Sequence, residues 1–149
     1  MLGRLARWLR LLGADAEART DRNDDELLAR LRGTGRTFVT RHRRRAARLA
    51  RLGLPVLPLA ADELGGQLRE TFARHALPPL EHRFTRCGRC NTLLQAVDPA
   101  EAAAWVPPHV ARTQHRFARC PRCGRIYWPA TQPQRFARDL ERFLGPERR

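Results

Sequence analysis

The chain has 149 residues, 42 % of them hydrophobic, enough to bury a core, and contains no apolar run near the roughly 18–20 residues that a membrane span needs. Its 29 basic residues, every one an arginine, stand against 15 acids and give +14 at pH 7. A membrane-spanning class is thereby excluded, and phosphate-backed partners are favoured, because the planar guanidinium fork grips phosphate through two donors. Up to Arg83 there are 17 arginines against 10 acids, and beyond it 12 against 5, so each half carries +7 and no single tail holds the excess. Arginine in place of lysine can follow from GC-rich codon usage alone, but the net positive sign does not. Met1 leads straight into an Arg-rich helical pattern with no secretory signal before it, so the expectation is a cytoplasmic protein without disulfides.

In chain order, Leu5, Trp8, Leu9 and Leu12 fall at i, i+3, i+4 and i+7 and predict a helix closed by Gly13, with Trp8 in its core stripe. Arg4, Arg7 and Arg10 are read as another face of that helix. Asp15 to Arg19 is a weak strand candidate. A second helix is expected over Asp24 to Arg32, capped by Asn23 or Thr20, with Asp24, Asp25 and Glu26 in its first turn, where the dipole favours acids. Arg36 to Thr40 reads as a strand, His42 to Leu52 as a basic helix, and Leu54 to Leu57 as a second strand. Asp62 is expected to cap a helix in which Leu64, Leu68 and Phe72 share a face, and Pro78-Pro79 ends this first unit. Helices alternating with strands over short connections predict a parallel sheet wrapped by helices. In such a sheet each helix joins two strands, so the pattern favours a strand before the first helix over a fold that opens on a helix.

The second unit turns on four cysteines in two C-x-x-C pairs, Cys87/Cys90 and Cys120/Cys123. Each pair sets two thiolates on one tight turn, and two such turns facing each other suit a structural Zn²⁺ with a closed four-sulfur shell. Short arms are expected at Leu93–Val97 and Arg125–Trp128, separated by a polar insert with Trp105, Pro107 and Pro108. Tyr127 and Trp128 read as packing on the ribbon. A final helix carries Phe136, Leu140, Phe143 and Leu144 on one face, which should pack on the protein.

These residues carry a family resemblance. Met1 to Gly13 resembles the opening of the Mut-seven C-terminal RNase domain family, and so in order do Asp24-Asp25-Glu26-Leu27-Leu28, Phe38-Val39-Thr40-Arg41, Val106-Pro107-Pro108 and Cys120 to Trp128. The resemblance implies a PIN-like α/β fold over residues 1–83, then a zinc ribbon with a C-terminal helix over 84–149. It also implies a divalent-metal-dependent endoribonuclease. The chain departs from the family pattern in three places. The strand and Asp that precede the Met-Leu-Gly block are not in this sequence, His42 stands where an Asp is usual, and Ala130-Thr131-Gln132 replaces a Gly-Ser-His stretch.

Hydrolysis of a phosphodiester by metal-activated water needs several carboxylates converging on Mg²⁺ or Mn²⁺, at the C-terminal ends of parallel strands. Asp21, Asp24, Asp25 and Asp62 are the acids so placed, with Asp24 or Asp25 the favoured ligand. The alternative for Asp24 and Asp25 is a dipole-stabilising role, and for Asp62 a cap. Thr40 and Arg41, where a strand ends, are candidates to hold a phosphate. Arg4, Arg7, Arg10, Arg43, Arg44, Arg45 and Arg48 are candidates for an RNA-facing rim, the alternative being solvated helix faces. Besides an endoribonuclease, the sequence admits an RNA-binding module without turnover, or a zinc-ribbon adaptor that docks a protein partner.

Overall fold

The computed structural model describes residues 2–19, 23–129 and 132–145. It is a mixed α/β chain with one small parallel sheet, one small antiparallel sheet and helices against both.

Helix α1 (Gly3–Leu11) buries Leu5 and Leu12, and Gly13, at φ +96°, turns the chain out of it. Asn23 caps α2 (Asp24–Leu31), its Oδ1 accepting the Glu26 N–H at 2.8 Å. Thr20, the other expected cap, lies outside the described residues. Strand β1 (Phe38–Thr40) passes through α3 (Arg43–Arg51) to β2 (Val56–Pro58), a parallel pair with Phe38 opposite Val56 and Thr40 opposite Pro58. His42 caps α3 through Nδ1, which accepts the Arg45 N–H at 3.2 Å, the job an Asp would otherwise do. Helix α4 (Leu64–Phe72) follows; after a 3-10 turn at Leu80–His82 the chain enters the cysteine region.

Two expectations fail here. Asp15 to Arg19 is not a strand: the Ala16 N–H goes to the Asn91 side chain, while Asp15 and Glu17 reach Arg36, so no ladder forms. The cap of α4 is Glu63, whose Oε2 accepts the Gly66 N–H at 2.6 Å, and Asp62 instead pairs with Arg41.

Strands β3 (Gln95–Val97), β4 (Phe117–Arg119) and β5 (Ile126–Tyr127) form an antiparallel sheet with β4 central. The segment expected to be a polar insert carries α5 (Pro99–Ala102) and α6 (Pro108–Thr113). These two short helices and the turn between them bury Ala102, Val106 and Val110 against Phe117, with Trp128 and Ile126 packed alongside. Helix α7 (Gln132–Leu144) lies on α4: Phe136 and Leu140 join Leu5, Leu12, Leu57, Leu64 and Leu68 in the largest cluster. Trp8 stacks on Phe136 with centroids 4.4 Å apart, so it is a core residue as its stripe predicts. A second cluster holds Leu27, Leu28, Leu31, Leu49 and Leu54 between α2 and α3. Among the described residues no helix is long and apolar enough to cross a membrane.

Candidate functional site

The two cysteine turns are built alike. In the first, the Asn91 N–H bonds the Cys87 carbonyl at 2.9 Å and the Cys87 N–H bonds the Thr92 carbonyl at 2.8 Å. In the second, the Gly124 N–H bonds the Cys120 carbonyl at 2.9 Å and the Cys120 N–H bonds the Arg125 carbonyl at 2.9 Å. The residue after each pair, Asn91 at φ +69° or Gly124 at φ +73°, is left-handed, a conformation that Gly and Asn tolerate best. The backbone thus aims both sulfurs of each pair to one side.

The four sulfurs lie within 4.8 Å of one another, with Cys87–Cys123 at 3.7 Å and Cys90–Cys120 at 3.4 Å. All four are free thiols. A tetrahedral ion with Zn–S of about 2.3 Å requires S···S of about 3.8 Å, so the cluster is compatible with a zinc site. The electrostatics fit too. The Thr92 hydroxyl beside Cys90 draws its thiol down to about 6, whereas burial pushes Cys120 up to about 11. Two thiolates this close repel, and a divalent cation removes the conflict. At Cys87 burial raises the thiol, but the Tyr127 hydroxyl at 3.1 Å and the backbone N–H groups of Cys90 and Arg89 outweigh it and hold it below its ordinary value. Tyr127 itself is pushed well up, mainly by burial, and its oxygen also accepts the Gly88 N–H at 3.1 Å.

The first turn is clamped to α1. Arg10 is only 7 % exposed; its Nε donates to the Ala16 carbonyl at 2.6 Å and its Nη1 to the Arg89 and Gly88 carbonyls at 2.8 and 3.2 Å. Arg10 therefore leaves the rim in which its spacing had placed it: its guanidinium is enclosed by three carbonyls that need its charge. Asn91 completes the clamp, accepting from Ala16 N and donating to Asp15 Oδ1 at 2.6 Å.

At the C-terminal end of β1, the Thr40 hydroxyl accepts the His42 N–H at 3.1 Å and fixes the turn into α3. Arg41 is exposed and pairs with Asp62. Asp24 is half-buried at the start of α2. Arg45 Nε meets its Oδ1 at 2.8 Å and Arg48 pairs with Oδ2. The Arg45 guanidinium holds the Asp24 carboxyl below its ordinary value; partial burial opposes this and Arg48 reinforces it. Asp25 is exposed, and Asp21 lies outside the described residues. Arg4, Arg7, Arg43 and Arg44 are exposed, while Arg45 is half-buried with its guanidinium 5.3 Å over the Phe38 ring. A groove of about 640 Å³ runs beside β1, between Leu5 and Leu9 of α1, Val39 of β1 and Phe72 of α4, and both Thr40 and Arg45 line it.

Residues 1–140 match the Mut7-C RNAse domain. The chain belongs to the Mut7-C RNase domain family. No curated protein and no solved structure matches it. Membership suggests a nuclease-like function with RNA as the interacting molecule.

A Mut7-C domain that used Mg²⁺ or Mn²⁺ would need carboxylates with free lone pairs converging on one point. In the described residues Asp24 Oδ1 accepts from Arg45 while Oδ2, with no hydrogen-bond partner, is ion-paired with Arg48, Asp62 pairs with Arg41, and no three carboxylates converge on one point. The four cysteines are the group among the described residues whose ligand atoms converge. Sequence reasoning missed Tyr127 as a partner of Cys87 and Arg10 as a buried strut. Asn91 could have been found from its place directly after Cys90, where Gly124 follows Cys123 in the second pair.

Proposed function

We propose that this chain is an RNA-binding domain of the RNase family it belongs to, gripping single-stranded RNA by its phosphates at the junction of β1 and α3. The observation that carries this reading is the run Arg43-Arg44, exposed on the first turn of α3, whose N–H groups also favour anions. Arg41 stands beside the run, and Thr40 sets the turn that presents it. The zinc ion would be structural, held by Cys87, Cys90, Cys120 and Cys123 with no open position for a substrate, and would keep the two turns facing each other. The arginine ties from Arg10 to the first turn then hold the ribbon against α1.

A second reading, a PIN-like endoribonuclease using Mg²⁺ or Mn²⁺, is supported by the family match. Asp24 and Asp25 are its candidate ligands, and Asp24 would have to exchange Arg45 and Arg48 for a cation. A zinc-ribbon adaptor for a protein partner is supported by no specific contact.

Both readings are tested together. A labelled 20-nucleotide single strand is titrated with the zinc-loaded protein in chelator-free buffer without Mg²⁺ or Mn²⁺ and followed by mobility shift, and the same RNA is then incubated with Mn²⁺ or Mg²⁺ and run on a denaturing gel. Binding without Mg²⁺ or Mn²⁺ that weakens in an R43Q/R44Q double variant supports the first reading. No shift at low salt overturns it. Metal-dependent fragments abolished by D24N support the second.

A further inference from the structure

We infer that Trp105 and Arg119 of the ribbon form a stacking platform for an unpaired base of the bound strand, a second contact remote in sequence from the β1–α3 junction. The inference rests on the RNA-binding reading above and adds a site to it. Trp105 is 65 % exposed, the most open of the large apolar side chains among the described residues, although an indole gains more than most side chains from burial. It is not a loose end. The Trp105 N–H bonds the Ala102 carbonyl at 2.9 Å, its neighbour Val106 is buried, and Ala102 is fully buried, so the backbone under the ring is fixed on the core of the ribbon. Pro107 then stiffens the entry to α6.

The Arg119 guanidinium lies 5.4 Å from the centroid of the indole. The same group reaches toward the second cysteine turn, where a Cβ at Gly124 would lie 3.8 Å from its Nη2. A flat cation against a flat aromatic is the arrangement on which a nucleobase stacks, with the arginine also able to meet the adjoining phosphate. The surrounding segment is basic: Arg112, Arg116, Arg122 and Arg125 stand with Arg119 against Asp98 and Glu101. A peptide partner would also bury an exposed tryptophan. The charge around this one favours a polyanion, and the guanidinium already in contact with the ring favours a planar π ligand.

The platform is tested with W105A and W105F in the zinc-loaded full chain. The probes are a labelled oligouridylate and a blunt RNA duplex of the same length, in EDTA-free buffer at fixed salt. One base stacked on the ring predicts that W105A weakens oligouridylate binding about 5- to 150-fold and leaves the duplex within twofold. W105F should keep most of the affinity, because the flat ring remains. Oligouridylate should also quench the wild-type tryptophan emission, and W105F, which keeps Trp8 and Trp128, should lose that quench. Unchanged zinc content and circular dichroism in W105A show that the fold survives an exposed substitution. Oligouridylate affinity equal to wild type in W105A overturns the platform while leaving the RNA-binding reading intact. So does a protein partner lost in W105A with RNA binding unaltered. Absence of RNA binding by the wild type overturns both.

Discussion

Arg10 offers the sharpest separation between a structural and an RNA-contacting arginine. Replacing it with Met keeps most of the stem volume and removes the guanidinium. Three bonds go with it, at 2.6, 2.8 and 3.2 Å, to the carbonyls of Ala16, Arg89 and Gly88. Hydrogen bonds from a charged donor contribute about 1.5–3 kcal/mol each, but neighbouring bonds are not additive and the 3.2 Å bond is the weakest. A loss of about 3–5 kcal/mol is therefore expected for R10M, a large share of the roughly 5–15 kcal/mol that holds a domain. With a urea slope of about 2 kcal/mol/M, that moves the midpoint down by roughly 2 M. R10K retains the charge but lacks the fork, so it should fall between R10M and wild type. R4Q, at an exposed position of the same helix, should stay within about 0.5 kcal/mol. The assay is equilibrium urea unfolding of the zinc-saturated protein, with far-UV dichroism and tryptophan emission as probes. An R10M midpoint within 0.3 M of wild type, together with RNA affinity reduced as in R43Q, would refute the strut and return Arg10 to the nucleic-acid face.

Other consequences follow from the same geometry. One zinc per chain is expected by inductively coupled plasma mass spectrometry; C120S should lose it, and a strong chelator should lower the melting temperature of the wild type but not of C120S. Asp24 gives a signed pH dependence. Its folded-state carboxyl lies below its unfolded value, so its contribution is fully present above the unfolded value, about 4, and is lost as pH falls through the folded one. D24N should thus be less stable than wild type at pH 7, and the difference should shrink below pH 4 in urea melts. E63A should cost about 1 kcal/mol through loss of the α4 cap, whereas D62A, whose side chain is 85 % exposed, should cost less than about 0.5 kcal/mol; equal costs would contradict the capping assignment.

Much of this molecule was legible in its sequence where one physical rule dominates. Two C-x-x-C pairs predicted a convergent thiol cluster because the turn geometry leaves little choice. The α1 stripe and the α7 face were legible because four apolar residues at helical spacing must find a core. Arg10 was not, for a geometric reason. A step of three residues advances about 300° around a helix, so Arg4, Arg7 and Arg10 drift by about 120° and the last one turns inward. The insert was misread because α5 and α6 span only four and six residues, too few for a period to show, and their burial depends on Phe117 from a distant strand. Glu63 displaced Asp62 as the α4 cap because Asp62 is drawn to Arg41, a contact made across the sheet and invisible locally. The ion pairs around Asp24 join α2 to α3 and are likewise set by packing, although the residue itself was singled out correctly as a first-turn acid.

The most direct measurement of RNA binding is the slope of log affinity against log salt for a single-stranded RNA, in wild type and in R43Q/R44Q. Each phosphate contact on a single strand contributes about 0.7 to that slope. The wild type should show a steep dependence, and the double variant should lose about 1.4 of it while keeping its zinc and its melting temperature. A wild-type affinity that is flat between about 50 and 200 mM salt, or a slope unchanged by the two substitutions, would contradict the phosphate grip at the β1–α3 junction.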